Sequence, residues 1–368
     1  MDIDEQQLLS FQRYLSHAKK VLCIVGAGMS ASSGIPTYQW QKGIWRGYTS
    51  LDLATPEAFQ NNPGLVWLFY SSRRLEALRA RPNNAHFALA ELCRRFPSQI
   101  KQDTASKDRS HEEVFTLSNR KVLVVSQNVD GLHQRAGHPS DSLVELHGSV
   151  FGLKCTQFFC NYRSCNDRDK FLTPALHRNT PSITPNTAKK RRRNSVQDAP
   201  AVKKARLAEP NESGDKHETQ LDTSIEPSAG KNSQPEAPLP TLDASELPRC
   251  PECHEGLLRP AVVWFGESLP LRQMDDVDRF FNVGEPVDLV LVIGSSGKVW
   301  PAMGYVERAK KSKSKVAIFN TTIEDLEKVR KDRNVWGFQG DAAEILPKAL
   351  KPLIGEQYKP RNGRVRNL

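Results

Sequence analysis

The sequence predicts an α/β fold, a doubly wound parallel sheet carrying a smaller inserted module. Three observations predict it: short apolar runs rich in β-branched residues recur along the chain, helix-like patterns separate them, and cysteines cluster where that alternation breaks. The runs are VLCIV (21–25), VLVV (122–125), LVLVI (289–293) and VAIF (316–319). Each ends at small or polar residues, as strands buried on both faces do. Between them, AHFALAELCRRF and the segment around GLVWLFYSSRRLEAL read as helices packed on the sheet.

The rest of the 368-residue chain departs from this pattern, and its 38% hydrophobic content is low for a wholly folded protein. Over 166–247, Phe171 is the only aromatic residue and prolines recur among Ser, Asn, Glu and Lys, which predicts a disordered insert. Two basic runs inside it, KKRRR (189–193) and KKAR (203–206), resemble a bipartite nuclear localisation signal, and read equally well as a solvated patch in a loop. Residues 101–120 form a second, smaller polar insertion, and 351–368 a basic C-terminal tail. That leaves a large domain of about 15–150 and 285–350 and a small module of about 151–165 and 248–262.

A net charge of +10 favours acidic partners such as nucleic acid, phosphorylated cofactors or acyl carboxylates, and selects none of them. No apolar run approaches the roughly eighteen residues that would cross a bilayer, so a soluble protein is expected. The start MDIDEQQLLSF has three early acids and lacks the Arg-rich character of a transit peptide. Seven cysteines, grouped as 155/160/165 and 250/253 with Cys23 and Cys93 apart, suit a metal site in a reducing compartment better than a disulfide framework.

Ligands of an open parallel sheet bind beyond the carboxyl ends of its strands. The loops there are GAGMSASSG, SQNVDG, GSSGKVWP and NTT, all polar. Gly26 and Gly28 would let backbone approach a pyrophosphate, with free amides at the following helix start and Ser30 or Ser33 as donors. A tight strand-to-helix turn also uses glycine for purely steric reasons. The spacing GAGxSxxSG departs from GxGxxG, which argues against an ordinary dehydrogenase.

Taken in order, GAGMSASSGIPTYQ, SQNVDGLHQRAG, VELHGSV, two cysteine pairs, RPAVVWFGE and GSSGKVWP resemble the sirtuins, the NAD-dependent protein lysine deacylases. The resemblance covers about 15–165 and 248–350, placing one deacylase domain at 1–350. It implies a Rossmann-like large domain and a small zinc-bearing domain, with NAD and an acyl-lysine peptide meeting between them. It also implies that NAD is consumed: nicotinamide leaves and the acyl group passes to ADP-ribose, freeing lysine.

The residues follow by position in those motifs. His147 in VELHGS is implied as the base, a task that suits an imidazole; His133 in DGLHQ is a nearby decoy. Gln127, Asn128 and Asp130 match the nicotinamide and ribose pocket, where amide and carboxylate groups can hold the carboxamide and the hydroxyls, and Asn128 and Asp130 join His147 as implied catalytic residues. Gly294, Ser295, Ser296, Asn320, Thr321 and Thr322 match adenosine-side contacts. The same resemblance assigns Gly26, Ala27, Gly28, Ser30, Gly34, Gln39, Trp45 and Ala342 to the cofactor site. Where the family usually reads GIPxFR, this chain reads Gly34-Ile35-Pro36-Thr37-Tyr38-Gln39. An amide for a guanidinium should weaken the hold on NAD or slow turnover.

Cys155-x4-Cys160 and Cys250-x2-Cys253 suit a closed, structural tetrahedral zinc site. Cys165 competes with Cys160, which is preferred because it leaves the shorter loop.

Tyr70 and Arg73 stand three apart on a predicted helix and can share a face, although Y-x-x-R alone says little, since Arg73 could be solvated like Arg74. In register, the surrounding GIWRGYTSLDLATPEAFQNNPGLVWLFYSSRR resembles the branch of sirtuins that removes malonyl, succinyl and glutaryl groups, where this tyrosine and arginine bind the acyl carboxylate. Val262, Phe265, Gly266 and Glu267, with Val263 and Trp264, match the segment that pairs with substrate backbone. The implied partners are acylated-lysine proteins, histones among them, with neither membrane nor direct nucleic-acid binding expected. Two other functions stay open: a nuclear histone or protein deacetylase, and a weakly active NAD- or chromatin-binding scaffold. Nucleus or cytoplasm is the expected location, with the mitochondrion an alternative.

Overall fold

The computed structural model describes residues 4–37, 45–98, 120–180, 240–297 and 299–358. Nine strands form among them: β1 (Lys20–Val25), β2 (Lys121–Ser126), β3 (Leu143–Glu145), β4 (Gly148–Cys155), β5 (Arg163–Ser164), β6 (Leu258–Val262), β7 (Leu289–Ile293), β8 (Lys315–Asn320) and β9 (Val335–Gln339). Six build one parallel sheet in the order β3-β2-β1-β7-β8-β9. The order reverses between β1 and β7, the switch point at which such sheets open a crevice.

The four expected strands are the inner four, and the two missed ones are the edges. β3 has only three residues, too few for a periodic signal, and β9 (VWGFQ) has Trp336 and Phe338 flanking a glycine in place of a continuous apolar run.

Strand residues alternate between two cores. Val21, Cys23 and Val25 pack with Phe11, Leu89 and Leu346 from helices Glu5–Leu15, Asn84–Arg95 and Ala342–Ala349. Leu22 and Ile24 pack with Phe280 and Val306 from helices Leu271–Asn282 and Ala302–Lys311. Each such buried aliphatic side chain contributes about 1.5–3 kcal/mol, so the sheet is a stiff platform for the loops at its rim.

A second lobe is built on the antiparallel sheet β5-β4-β6. Its core holds Trp67, Phe69, Tyr70, Phe151, Leu176, Leu258 and Trp264. The helix Pro63–Arg79, expected over the parallel sheet, packs here instead, so 45–79 belongs with the small lobe rather than with the 15–150 domain. The run Val66–Tyr70 is buried on every side, and no single apolar stripe announces which sheet the helix serves.

Both ends of the segment 166–247, expected to be disordered, are folded. Thr173 caps a helix Pro174–Asn179, and Leu176, Leu242 and Leu247 are buried in the small-lobe core. A Cβ on Gly64 would lie 2.9 Å from the Leu242 carbonyl oxygen, so the returning strand of chain rests on the Pro63–Arg79 helix. A few well-placed leucines anchor segments whose average composition is polar. Residues 181–239, with both basic runs, lie outside the described residues, as do 99–119 of the second insertion. The tail also starts later than 351, since Lys351–Ile354 is helical with Leu353 and Ile354 buried, and 359–368 lie outside the described residues. No helix among the described residues is long and apolar enough to cross a membrane.

Candidate active site

The turn after β1 is packed against the turn after β7, backbone to backbone. A Cβ on Gly26 would stand 2.7 Å from the Gly294 carbonyl oxygen, and one on Gly28 at 2.8 Å from the same atom. Gly294 has a positive φ of 59°, and its own Cβ would lie 2.1 Å from the Met29 nitrogen. The absence of a Cβ at these glycines is what lets the two turns pack this closely. The amides of Gly26, Gly28 and Met29 are also engaged, by the carbonyls of Ile293, Gly294 and Gly26, so they are not free donors. Ala27 opens a 3-10 helix, Ala27–Ser33, that ends at Gly34 in the left-handed region.

Beneath this turn the buried Ser30 hydroxyl forms a hub. It donates to Asp130 Oδ2 at 2.7 Å and accepts from Asn128 Nδ2 at 3.1 Å. His86 Nε2 lies 3.4 Å away, while His86 Nδ1 receives the Asn83 backbone N–H in the helix cap. Asn83 Oδ1 lies 3.1 Å from the same Nδ1, so Asn83 grips this imidazole through both its backbone and its side chain. Asp130 Oδ1 accepts from the Leu132 amide. Burial raises the Asp130 pKa, and the Ser30 and Leu132 bonds oppose that rise. Ser30 therefore holds the pocket residues in place, and the sequence signal for His86 lay in the cap PNNAH.

Gln127 sits at the mouth of β2. Its side-chain oxygen accepts from Ser295 Oγ at 3.3 Å, whereas its buried Nε2 has no partner. A buried amide N–H without an acceptor costs about 1–3 kcal/mol, so this nitrogen is set to meet an acceptor from outside the fold. The Gln127 main-chain oxygen accepts from His147 Nδ1 at 3.0 Å. His147 follows β3, and its carbonyl accepts from the Val263 amide, tying the imidazole to the exit of β6. Gly148, at φ 73°, leaves no room there for another residue, since a Cβ would lie 2.1 Å from the Ala261 oxygen. His133, the decoy, is buried against His86 and His138 with ring centroids 5.2 and 5.3 Å apart.

On the far side of the switch point, Asn320 Nδ2 donates to the Ser295 carbonyl at 3.2 Å, and its Oδ1 accepts the Thr321 amide. Ser296 is half-buried, Thr321 and Thr322 are exposed, and Ala342 is buried at the start of its helix. Asp341, which caps that helix, accepts from Ser32 Oγ at 2.5 Å, a link across the rim that the motifs did not reveal. Trp45 is packed edge-on against Phe69 at 5.6 Å within the small-lobe core. Gln39 lies outside the described residues.

The small lobe contributes Tyr70, buried, whose hydroxyl accepts from Trp264 Nε1 at 2.9 Å. One turn on, Arg73 lies over the Phe69 ring at 5.1 Å and pairs with Glu76 Oε2 at 2.8 Å. The neighbour Arg74, expected to be solvated, is 1% exposed and held through both Nη atoms, while its buried Nε has no partner. It donates to the carbonyls of Val150, Asp167 and Asp169 and pairs with the Asp167 carboxylate. After Val262, the amides of Val263, Trp264, Phe265 and Glu267 are satisfied by His147, Glu267, Ala54 and Trp264, so this segment offers carbonyls rather than a full ladder edge. Glu267 is held by both nitrogens of Arg259, at 2.6 and 2.9 Å, Phe265 is 48% exposed, and Gly266 is at φ 85°.

Cys155, Cys160, Cys250 and Cys253 converge, their sulfurs all within 4.8 Å of one another, while Cys165 is exposed and outside the group. Cys155 and Cys253 are 3.7 Å apart and Cys160 and Cys250 3.6 Å. Four thiolates about 2.3 Å from a tetrahedral Zn²⁺ stand roughly 3.8 Å apart, so the set fits that ion and, being closed, a structural role.

An imidazole, a carboxylate and amides at the switch point of a parallel sheet, with four clustered cysteines on a second lobe, form an arrangement suited to a two-lobed nucleotide-dependent α/β enzyme. The Sir2 family model matches residues 26–101, 95–184 and 212–301. An NAD-dependent protein deacylase of Candida albicans is 44% identical, over 95% of this chain and 99% of its own. The NAD-dependent protein deacylase sirtuin-5, mitochondrial, of Canis lupus familiaris is 33% identical, over 94% of this chain and 85% of its own. Among solved structures, a Sir2 homolog in complex with NAD superposes with a TM-score of 0.59 at 25% identity, covering 95% of this chain and 93% of that one. The chain belongs to the Sir2 family.

Proposed function

We propose that this chain is an NAD-dependent protein lysine deacylase that removes acidic acyl groups, succinyl, malonyl or glutaryl, from lysine. The observation that carries the reading is the position of His147, its Nδ1 proton fixed on the Gln127 carbonyl at the mouth of the switch-point crevice. NAD, when bound, supplies a ribose carbon whose bond to nicotinamide can be broken and to which an acyl oxygen can add. The residues do the rest. Gln127 Nε2 orients the carboxamide, Asn128 and Asp130 hold ribose hydroxyls from a scaffold set by Ser30, and His147 Nε2 takes a proton. Ser295, Asn320 and their neighbours hold the adenosine side, and the four cysteines hold a structural Zn²⁺.

The acidic preference rests on Tyr70 and Arg73, a hydroxyl and a guanidinium one helical turn apart. Substrates are acylated-lysine proteins. The relative named sirtuin-5, mitochondrial, makes that compartment a candidate beside the nucleus and cytoplasm. The test is mass spectrometry of products from acetyl-, succinyl-, malonyl- and glutaryl-lysine peptides with and without NAD. Free lysine, nicotinamide and acylated ADP-ribose that appear only with NAD, and most rapidly from acidic acyl groups, are expected. Equal rates with acetyl-lysine would remove the acidic assignment, and no nicotinamide release from any peptide would remove the deacylase reading.

A further inference from the structure

The acyl anchor Arg73 is already paired. Its Nη1 lies 2.8 Å from Glu76 Oε2, one turn along the same helix, and the two side chains are 19% and 18% exposed. Neither is a free surface charge. The guanidinium is pressed over Phe69, whose ring packs against Trp45 and Tyr70. Arg74 cannot substitute for it, being fixed by Val150, Asp167 and Asp169. Arg79, the third arginine of this helix, is exposed in its last turn, so Arg73 is the cation that an acidic acyl group would meet, with a carboxylate already in place.

The geometry points to Glu76 as a specificity-determining residue, an internal carboxylate that occupies Arg73 whenever no acidic acyl group does. This rests on the acidic-deacylase reading given above. Two consequences follow from the charges. An acidic acyl group must displace Glu76 or share Arg73 with it, and two carboxylates on one guanidinium repel each other, which weakens binding of succinyl-lysine. An acetyl group leaves Arg73 paired with Glu76, so the penalty for an uncompensated half-buried cation, which would otherwise exclude acetyl-lysine, is absent. Glu76 thus narrows the gap between acidic and neutral acyl groups from both sides.

The experiment compares succinyl- and acetyl-lysine versions of one peptide on the full chain, for wild type, Glu76→Gln and Arg73→Met. Glu76→Gln is expected to lower KM for the succinyl peptide about three- to fivefold, the scale of one partly solvated ion pair. The succinyl-to-acetyl ratio of kcat/KM should rise by at least as much. Glu76→Asp, which keeps the charge, should stay near the wild-type ratio. A role limited to bracing the helix would shift both peptides alike. An unchanged ratio in Glu76→Gln, with the succinyl preference lost in Arg73→Met, overturns the assignment of Glu76 and leaves the anchor standing. An unchanged ratio in Arg73→Met overturns the anchor itself. Should Glu76→Gln fail to fold, Glu76→Ala, with its higher helix propensity, gives the same readout.

Discussion

The Nδ1 of His147 and the main-chain oxygen of Gln127 stand 3.0 Å apart. A carbonyl can only accept, so the proton resides on Nδ1 and Nε2 keeps the lone pair. The proposed base and the residue that lacks an acceptor for its amide are thereby joined through one hydrogen bond.

Burial lowers the His147 pKa, and the Gln127 bond opposes this only in part. Catalysis needs the neutral ring, so the acidic limb of kcat/KM should have its midpoint below the ordinary histidine value of about 6.5. Nicotinamide release followed from about pH 5 to 8 checks this, and a midpoint above the ordinary value would contradict it. His147→Ala should lower kcat about a hundred- to ten-thousandfold while NAD binding persists.

Ser30→Ala removes the shared partner of Asp130, Asn128 and His86. Leaving these buried groups short of a bond should cost about 1–3 kcal/mol of stability and raise KM for NAD more than KM for peptide. Chemical denaturation and two-substrate kinetics measure the two effects, and equal rises in both KM values would argue against a pocket role.

Metal content should separate the cysteines. Cys160→Ser should lose its zinc and its small-lobe packing, and Cys165→Ser should keep both, since only the first sulfur lies in the cluster. Zinc per chain by elemental analysis, with near-ultraviolet circular dichroism, checks this. Zinc loss in Cys165→Ser would reassign the ligand.

Three buried imidazoles should make the fold acid-labile. Burial pushes His86 down to about 3, His138 down to about 4 and His133 well below its ordinary value. Below about pH 6.5 the unfolded chain binds protons that the native chain refuses, so stability falls as pH falls, by up to about 1.4 kcal/mol per pH unit for each ring. Urea midpoints at about pH 7.5, 6 and 5 should decline, and less steeply in His138→Asn.

Arg73 and Arg74 should behave oppositely. Arg74→Met leaves Asp167 and three carbonyls without their donor and should cost about 3 kcal/mol or more. Arg73→Met, which leaves the partly solvated Glu76 without its partner, should cost only about 1 kcal/mol and act on the acyl preference. Thermal melts of both variants suffice.

The inner sheet was legible because its strands are continuous apolar runs, and the convergence of Cys155, Cys160, Cys250 and Cys253 because paired thiols at such spacings favour one metal. The edges β3 and β9 lacked that continuity, and the lobe taken by Pro63–Arg79 could not be read from a helix buried all round. The motifs located Ser30, Asn128, Asp130 and His147 along the chain. Which of them bond to one another depends on His86, Asn83 and Gly294, residues brought in from other elements by the sheet order. The adjacent letters of RR concealed the sharpest contrast, because one position of helical rotation carries Arg74 into the lobe interior and Arg73 to its rim.

The polypeptide on either side of 181–239 is fastened to a single helix, on one side by Leu176 and on the other by Leu242 resting on Gly64. Such a seam closes the lobe's core from its two flanks, so the number of residues threaded between them can change at little cost to the packing. The same spot offers engineers a place to splice in a reporter without retuning the chemistry.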